Sequence, residues 1–209
     1  TPAGYENFSA SALGDIKVMG RYRWTLDEAS RSGMGVKFGL KLNTGRKDFQ
    51  MVDDAGAAHV PGEVTLQPGN GSTDLIAGAF WHQATPGSNW NWFAQGTLQS
   101  SVRSSDTFRP GNQFNLDGGT RYAFSQNLSG LLQLNAQWNS TDSGTSAVLT
   151  HTGAASSGGR SYSLTPGVSY AFTPGTQLYA LLQLPLYQYV NGEQLTASHY
   201  VTVGVSRRF

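Results

Sequence analysis

The sequence is poor in cysteine, in charge and in long apolar runs. It has 209 residues and no cysteine, which excludes a disulfide scaffold and thiolate metal sites. Charged residues make up 13% of the chain and the net charge is +1, so nothing suggests nucleic acid as a partner. No run approaches the roughly 18 consecutive apolar residues of a membrane helix. Residues 1–4 also lack the basic and apolar stretches of a signal peptide.

Glycine and aromatic residues are plentiful instead. The chain has 26 glycines, and aromatic residues account for 11% of it. This composition suits a transmembrane β-barrel, but it also suits a soluble β-sandwich. The period of the hydrophobic pattern distinguishes the two.

Hydrophobic and polar residues alternate with a period of two along most of the chain, which predicts β-strands. Each predicted strand reaches the roughly 9–11 residues that cross a bilayer, whereas soluble strands average about 5–6. The connections alternate between short and long, as periplasmic turns and external loops do in outer-membrane barrels. The fold class is therefore predicted as all-β, a transmembrane antiparallel up-and-down barrel that forms one domain over residues 1–209. The nine predicted strands cover residues 14–26, 34–44, 73–83, 90–103, 112–124, 128–139, 160–172, 176–189 and 199–209.

The direction of the strands predicts a further segment of the barrel. If the C-terminus is periplasmic, the first of nine strands starts outside the cell. Bacterial single-chain barrels have an even number of strands and start inside. An odd number of strands is therefore expected before residue 14, so that this chain lacks its N-terminal strands. The C-terminal Phe209 resembles the assembly signal of outer-membrane barrels.

Several stretches resemble one family of outer-membrane barrels, the transporters of the phenol meta-pathway type. The stretches are L-G-D-I-K-V-M-G-R-Y, F-G-L-K-L-N-T-G, L-Q-P-G-N-G-S-T-D and Q-L-P-L-Y-Q-Y-V-N-G, which begin at Leu13, Phe38, Leu66 and Gln183. The family usually has proline where this chain has Asn43. The resemblance runs from Leu13 onward and implies a barrel of about twelve strands, of which this chain holds about nine. Its stretches are strand and turn signatures, and no substrate-contact residues come with them.

A basic stripe lies on the polar side of the first two predicted strands and consists of Lys17, Arg21, Arg23, Lys37 and Lys41. It faces the lumen if the chain is a barrel. It has two interpretations. It can form a positive wall that favours anionic solutes, or it can pair with acids such as Asp74 and Asp117 in a structural network. Amide side chains further along can likewise bind a polar solute or bond to one another. The predicted lumen-lining residues are Lys17, Arg21, Arg23, Lys37, Lys41, Asp74, Gln95, Gln99, Asp117, Arg121, Gln133, Asn135, Gln137 and Gln183.

Two prolines, Pro166 and Pro185, fall inside predicted strands. Proline cannot donate to a β-ladder and is normally found at edges or bulges. A closed barrel has no edges, so a local bulge is predicted at each proline. Pro185 is predicted on the lumen side, between Tyr179 and Tyr187.

No pattern in the sequence predicts catalysis, a metal site or a cofactor. The four histidines have no i, i+2 or i, i+4 spacing, and no serine lies in a G-x-S-x-G elbow. The predicted function is a pore in the bacterial outer membrane for passive uptake of small solutes. The alternative is a structural barrel that serves as a sleeve or anchor for a partner protein. Expected partners are outer-membrane lipid and a small-molecule solute, with a protein partner under the alternative and no nucleic acid.

Overall fold

A computed structural model describes residues 12–29, 31–47, 50–52, 59–61, 67–104, 108–144, 157–192, 194 and 196–207. All regular structure in these ranges is β-strand. No helix long and apolar enough to cross a membrane occurs within them. The strands are β1 (Ile16–Asp27), β2 (Ser32–Leu42), β3 (Gln50–Val52), β4 (His59–Pro61), β5 (Ser72–Ala84), β6 (Trp90–Ser104), β7 (Gln113–Ala123), β8 (Leu128–Asn139), β9 (Gly159–Thr173), β10 (Thr176–Val190) and β11 (Tyr200–Arg207).

Nine of the strands form one antiparallel sheet in the order β1-β2-β5-β6-β7-β8-β9-β10-β11. They are the nine predicted strands, and the boundaries agree to within two residues, except that the predicted end of the ninth strand at residue 209 lies outside the described residues. The short hairpin of β3 and β4 was not predicted, because three-residue strands are too short to show a period. The prediction of an up-and-down, all-β architecture is confirmed. The total of about twelve strands stays a prediction.

The sheet exposes its apolar side chains and buries polar ones. On one face, which we call the apolar face, the exposed fraction is 60% for Val18, 61% for Leu134 and 69% for Val205. Among the described residues, only three hydrophobic side chains are buried, while eight polar or charged ones are. In a water-soluble protein the distribution is the opposite, with apolar side chains buried and polar ones exposed. A contiguous apolar surface of this kind needs an apolar surrounding.

The opposite face, which we call the polar face, is concave. The Nζ atom of Lys17 on β1 donates to the Oε1 atom of Gln99 on β6 over 3.2 Å. Strands β2 and β5 lie between them, so a flat sheet would place the two backbones about 14 Å apart at roughly 4.8 Å for each strand step. The bond therefore requires strong curvature. The sheet is a half-barrel with its polar side chains inside.

Aromatic rings on the apolar face form two belts, one at each end of the strands. Near the turns after β1, β7 and β9, Tyr22, Tyr122 and Tyr170 each contact the aromatic residue two positions further on. The other belt lies at the long-loop end. Tyr162 and Phe172 belong to opposite belts of β9 and are separated by ten residues, about 33 Å of strand. At a tilt of roughly 40° this gives a height of about 25 Å, which matches the apolar band of an outer-membrane barrel.

The two prolines behave differently. The β9–β10 register shifts between Pro185 and Tyr187, so the bulge predicted at Pro185 is confirmed. The bulge predicted at Pro166 is wrong, because Pro166 stays in register with Leu132 and pairing with β10 resumes beyond it without a shift. The extra residue at Pro185 also reverses the side-chain alternation beyond it. Tyr187 consequently lies on the apolar face, not on the lumen side where it was predicted.

Candidate channel lining

The polar face carries all fourteen residues that were predicted to line a lumen. Their places follow from cross-strand pairing, since directly paired residues share a face. Lys17 pairs with Lys41 and Lys41 with Asp74, while Gln95 pairs with Asp117 and Asp117 with Asn135. The structure thus brings the whole set together on the concave side of the half-barrel.

A buried polar cluster closes the long-loop end of this face, and Lys41 is at its centre. The Lys41 side chain is 5% exposed, and its Nζ atom lies 3.1 Å from Asp15 Oδ2 and 3.2 Å from Asp74 Oδ2. It also donates to Ser72 Oγ over 3.0 Å and to Asn70 Oδ1. These five residues are the loop-end cluster. Two carboxylates around one ammonium satisfy a charge that could not otherwise be buried.

Asp15 was not predicted as a site residue, and it ties the start of β1 to the end of β2. Its Oδ1 atom accepts the backbone amides of Thr44 over 3.1 Å and of Gly45 over 2.9 Å. Burial alone would raise the pKa of Asp15, but the hydrogen bonds from the Gly45 amide and the Lys41 ammonium outweigh it and hold the pKa below its usual value. Asp15 is the aspartate of the L-G-D stretch. That stretch supported the family resemblance as a signature of the fold, so it did not single out Asp15 as a site residue.

Two glycines explain how the loop ends pack beside Asp15. A Cβ atom on Gly45 would lie 2.8 Å from the Cα atom of Gly69, and one on Gly69 would lie 2.6 Å from the Gly45 carbonyl oxygen. Backbone therefore packs directly on backbone. Three of the stretches that carried the family resemblance meet at this point, so they encode an anchor for the loop between β2 and β5.

A second network runs across the middle of the polar face. The Lys37 ammonium donates to Gln95 Oε1, and Gln95 Nε2 donates to Asp117 Oδ2 over 2.8 Å. Asn135 Nδ2 donates to Asp117 Oδ1 over 2.7 Å, and the Thr165 hydroxyl donates to Asn135 Oδ1 over 2.6 Å. Lys37 can reach across β5 because its partner on that strand is Gly78, which has no side chain. The amides here bond to a carboxylate and to one another, as the structural interpretation expects.

The remaining predicted residues have simpler surroundings. Gln99 joins Lys17 to the loop-end cluster, because its Nε2 atom donates to Asp74 Oδ2. Arg121 donates to the hydroxyls of Ser129 over 3.0 Å and Ser169 over 3.3 Å. Gln183 donates to Ser163 over 3.2 Å and Gln137 to Asn139 over 3.2 Å. Gln133 pairs with Gly119 and Thr165 on the neighbouring strands.

Arg21 and Arg23 are, with Lys17, the exposed members of the basic stripe. Between described residues, Lys41 is the one member of the stripe within 4 Å of a carboxylate. The Arg21 guanidinium instead lies 4.0 Å from the centroid of the Phe80 ring. Phe80 and Ile76 are buried on the polar face, which the sequence pattern did not predict. The Phe80 ring fits there because its paired residue on the neighbouring strand β2 is Gly35. A Cβ atom on Gly35 would lie 2.5 Å from the ring.

The polar face encloses open space between these networks. A cavity of about 310 Å³ is bordered by Lys17, Gln99, Asp117, Asn135 and Gln183, together with neighbouring serines and amides. No group of three or more His, Asp or Glu side chains that could hold a metal ion occurs in the described part of the chain. The site can therefore offer hydrogen-bond donors, acceptors and positive charge to a solute. Phe209, the predicted assembly signal, lies outside the described residues.

The fold is shared with a solved membrane channel. An outer membrane channel from Pseudomonas putida F1 superposes with a TM-score of 0.69 at 15% sequence identity. The match covers 94% of this chain and 66% of that channel, so this chain spans just under two thirds of the channel's length. No curated protein matches the chain. A family model described as "Putative MetA-pathway of phenol degradation" matches residues 1–192, so the chain belongs to that family.

Proposed function

We propose that the protein is a passive channel of the bacterial outer membrane and that its polar face lines the path of small solutes. The observation that carries the proposal is the division of the sheet into two unlike faces. One is apolar, exposed and bordered by two aromatic belts, as a lipid-facing barrel wall must be. The other is concave and polar. The likeness to an outer membrane channel supports both the location and the activity.

The charge of the polar face favours anions among the solutes. The charge of Lys41 is compensated by Asp15 and Asp74, and Lys37 is linked to Asp117 through Gln95. Arg21 and Arg23 stay exposed to the concave side, with no described carboxylate in ion-pair contact. A wall with uncompensated positive charge raises the local concentration of anions. Passive passage is proposed because polar groups dispersed along the lining bind a solute weakly enough for it to move on.

Single-channel recording tests this function directly. The full-length protein, purified in detergent and inserted into planar bilayers, should give discrete conductance steps in potassium chloride. The same preparation after heat unfolding, verified by its altered gel migration, should give none. If the intact protein inserts but never conducts, the channel function is wrong and a sleeve or anchor role becomes the better account.

A further inference from the structure

Arg160 is a charged residue on the apolar face of β9. Along β7, β8, β9 and β10, the outward positions carry aliphatic, aromatic, glycine, threonine and proline residues and a single charge, Arg160. Its neighbours are described on both sides, since it pairs with Trp138 on β8 and with Tyr189 on β10. Arg160 is exposed, and it lies at the long-loop end of β9.

The side chains around Arg160 form the aromatic belt of the long-loop end. Ring centroids are 5.5 Å apart for Phe114 and Trp138, 5.9 Å for Trp138 and Tyr162, and 5.8 Å for Tyr162 and Tyr187. The row crosses four strands without a break. Aromatic rings of this kind settle at the boundary between hydrocarbon and headgroups. Arg160 lies one outward position beyond Tyr162, on the headgroup side of the row.

The bulge at Pro185 assembles this arrangement. Without the extra residue, Leu186 would take the outward position opposite Tyr162, and Gln188 the one opposite Arg160. With it, Tyr187 pairs with Tyr162 and Tyr189 pairs with Arg160. The Arg160 guanidinium consequently lies 5.9 Å from the Tyr187 ring centroid and 5.4 Å from that of Tyr189. An irregularity in β10 therefore places two tyrosines beside Arg160.

The two rings lie within cation–π distance of the guanidinium, and a hydrogen bond to Tyr187 uses one of its five N–H donors. The N–H bonds of a guanidinium lie in its plane and form a rigid fork. Two parallel N–H groups match the oxygens of a phosphate, and the nearby tyrosine hydroxyls add further donors. At the headgroup level of a membrane, the acceptor that fits is the phosphate of an anionic lipid.

We infer that Arg160, with Tyr187 and Tyr189, binds the headgroup phosphate of an anionic lipid in the leaflet at the long-loop end. The inference rests on the proposed function for its membrane setting. It assigns the Pro185 bulge a role in lipid recognition. The lipid serves as a fixed neighbour of the barrel wall, at a site separate from the solute path on the other face.

Native mass spectrometry of the full-length protein with diphosphoryl lipid A measures the binding. The wild type should retain the lipid, and Arg160→Gln should weaken binding by about tenfold or more, because a charge-assisted bidentate contact is lost. Arg160→Lys should retain part of the affinity as a point charge. Arg23→Gln is the matched control, since it removes the same charge from the polar face and should bind like the wild type.

Three outcomes would overturn the inference. They are equal binding by wild type and Arg160→Gln, equal binding of lipid A from which both phosphates were removed, and release of the lipid by millimolar inorganic phosphate. Conductance of the same samples separates this inference from the proposed function. If Arg160→Gln conducts normally but keeps its lipid affinity, only the lipid site fails. If the lipid is bound through Arg160 but no variant conducts, only the channel function fails.

Discussion

Replacing Lys41 with methionine should lower the free energy of unfolding by about 3–5 kcal/mol, the usual cost of leaving buried charge without its partner. The lysine is 4% exposed, and Asp15 and Asp74 both approach its ammonium group within 3.2 Å. Methionine has a similar volume and no charge, so the packing is kept. The two carboxylates would then lie together without a cation. The start of β1 and the loop between β2 and β5 are expected to detach first, because the cluster joins them.

Urea titration in detergent micelles, followed by tryptophan fluorescence, measures this change. Lys17→Met is the matched control, because Lys17 is exposed and makes one bond to Gln99; its cost should stay within about 1 kcal/mol. Adding Asp74→Asn to Lys41→Met should recover part of the loss. If Lys41→Met and Lys17→Met have the same effect, the loop-end cluster does not hold the fold together.

Reversing the two exposed arginines should reverse the ion preference of the channel. With Arg21→Glu and Arg23→Glu together, the permeability ratio of potassium to chloride should rise several-fold. Each substitution changes the local charge by two units, and one unit charge at 4 Å is worth about 1 kcal/mol in water. Neither arginine is tied to a described carboxylate, so the substitutions break no ion pair of the described network. The reversal potential across a potassium chloride gradient reports the ratio.

The controls for this experiment vary the size of the charge change, its position and the salt concentration. Arg21→Gln with Arg23→Gln should produce a smaller shift in the same direction. Arg160→Glu changes the same charge on the apolar face and should leave the reversal potential unaltered. Raising the salt to 1 M should shrink every shift, because the Debye length falls to about 3 Å. An unchanged reversal potential in the double glutamate variant would place both arginines outside the conducting path.

Much of this architecture could be predicted from the sequence because a barrel wall shows its period in every strand. Side chains alternate strictly between two unlike surroundings, so residues such as Lys17 and Gln137 can be assigned to a face by counting. Counting fails where a residue is inserted, as it does for Tyr187 beyond the bulge at Pro185. A proline signals a possible bulge, as at Pro185, but it does not show that the alternation reverses for the tyrosines that follow.

The partners of the site residues were harder to predict than their face. Asp15, Asn70 and Ser72 reach Lys41 from segments outside or at the ends of strands, where no period links sequence to position. Phe80 broke the expected rule that the polar face is polar, because a glycine on the next strand leaves room for its ring. The basic stripe was expected either to pair with acids or to form a positive wall for anionic solutes. Lys41 pairs with acids, whereas Arg21 and Arg23 leave the positive wall as a prediction to test.

The two faces of β8 offer the most direct test of the account, because the 209-residue sequence has no cysteine to compete for a thiol reagent. Single cysteines would replace Leu132, Gln133, Leu134 and Gln137 in the full-length protein, reconstituted in liposomes. Gln133→Cys and Gln137→Cys should react with a charged, membrane-impermeant thiol reagent. Leu132→Cys and Leu134→Cys should resist it, and a fluorophore attached there before reconstitution should be quenched by lipid-borne quenchers. Equal reactivity at all four positions, or the reverse alternation, would contradict a membrane barrel with a water-filled polar interior.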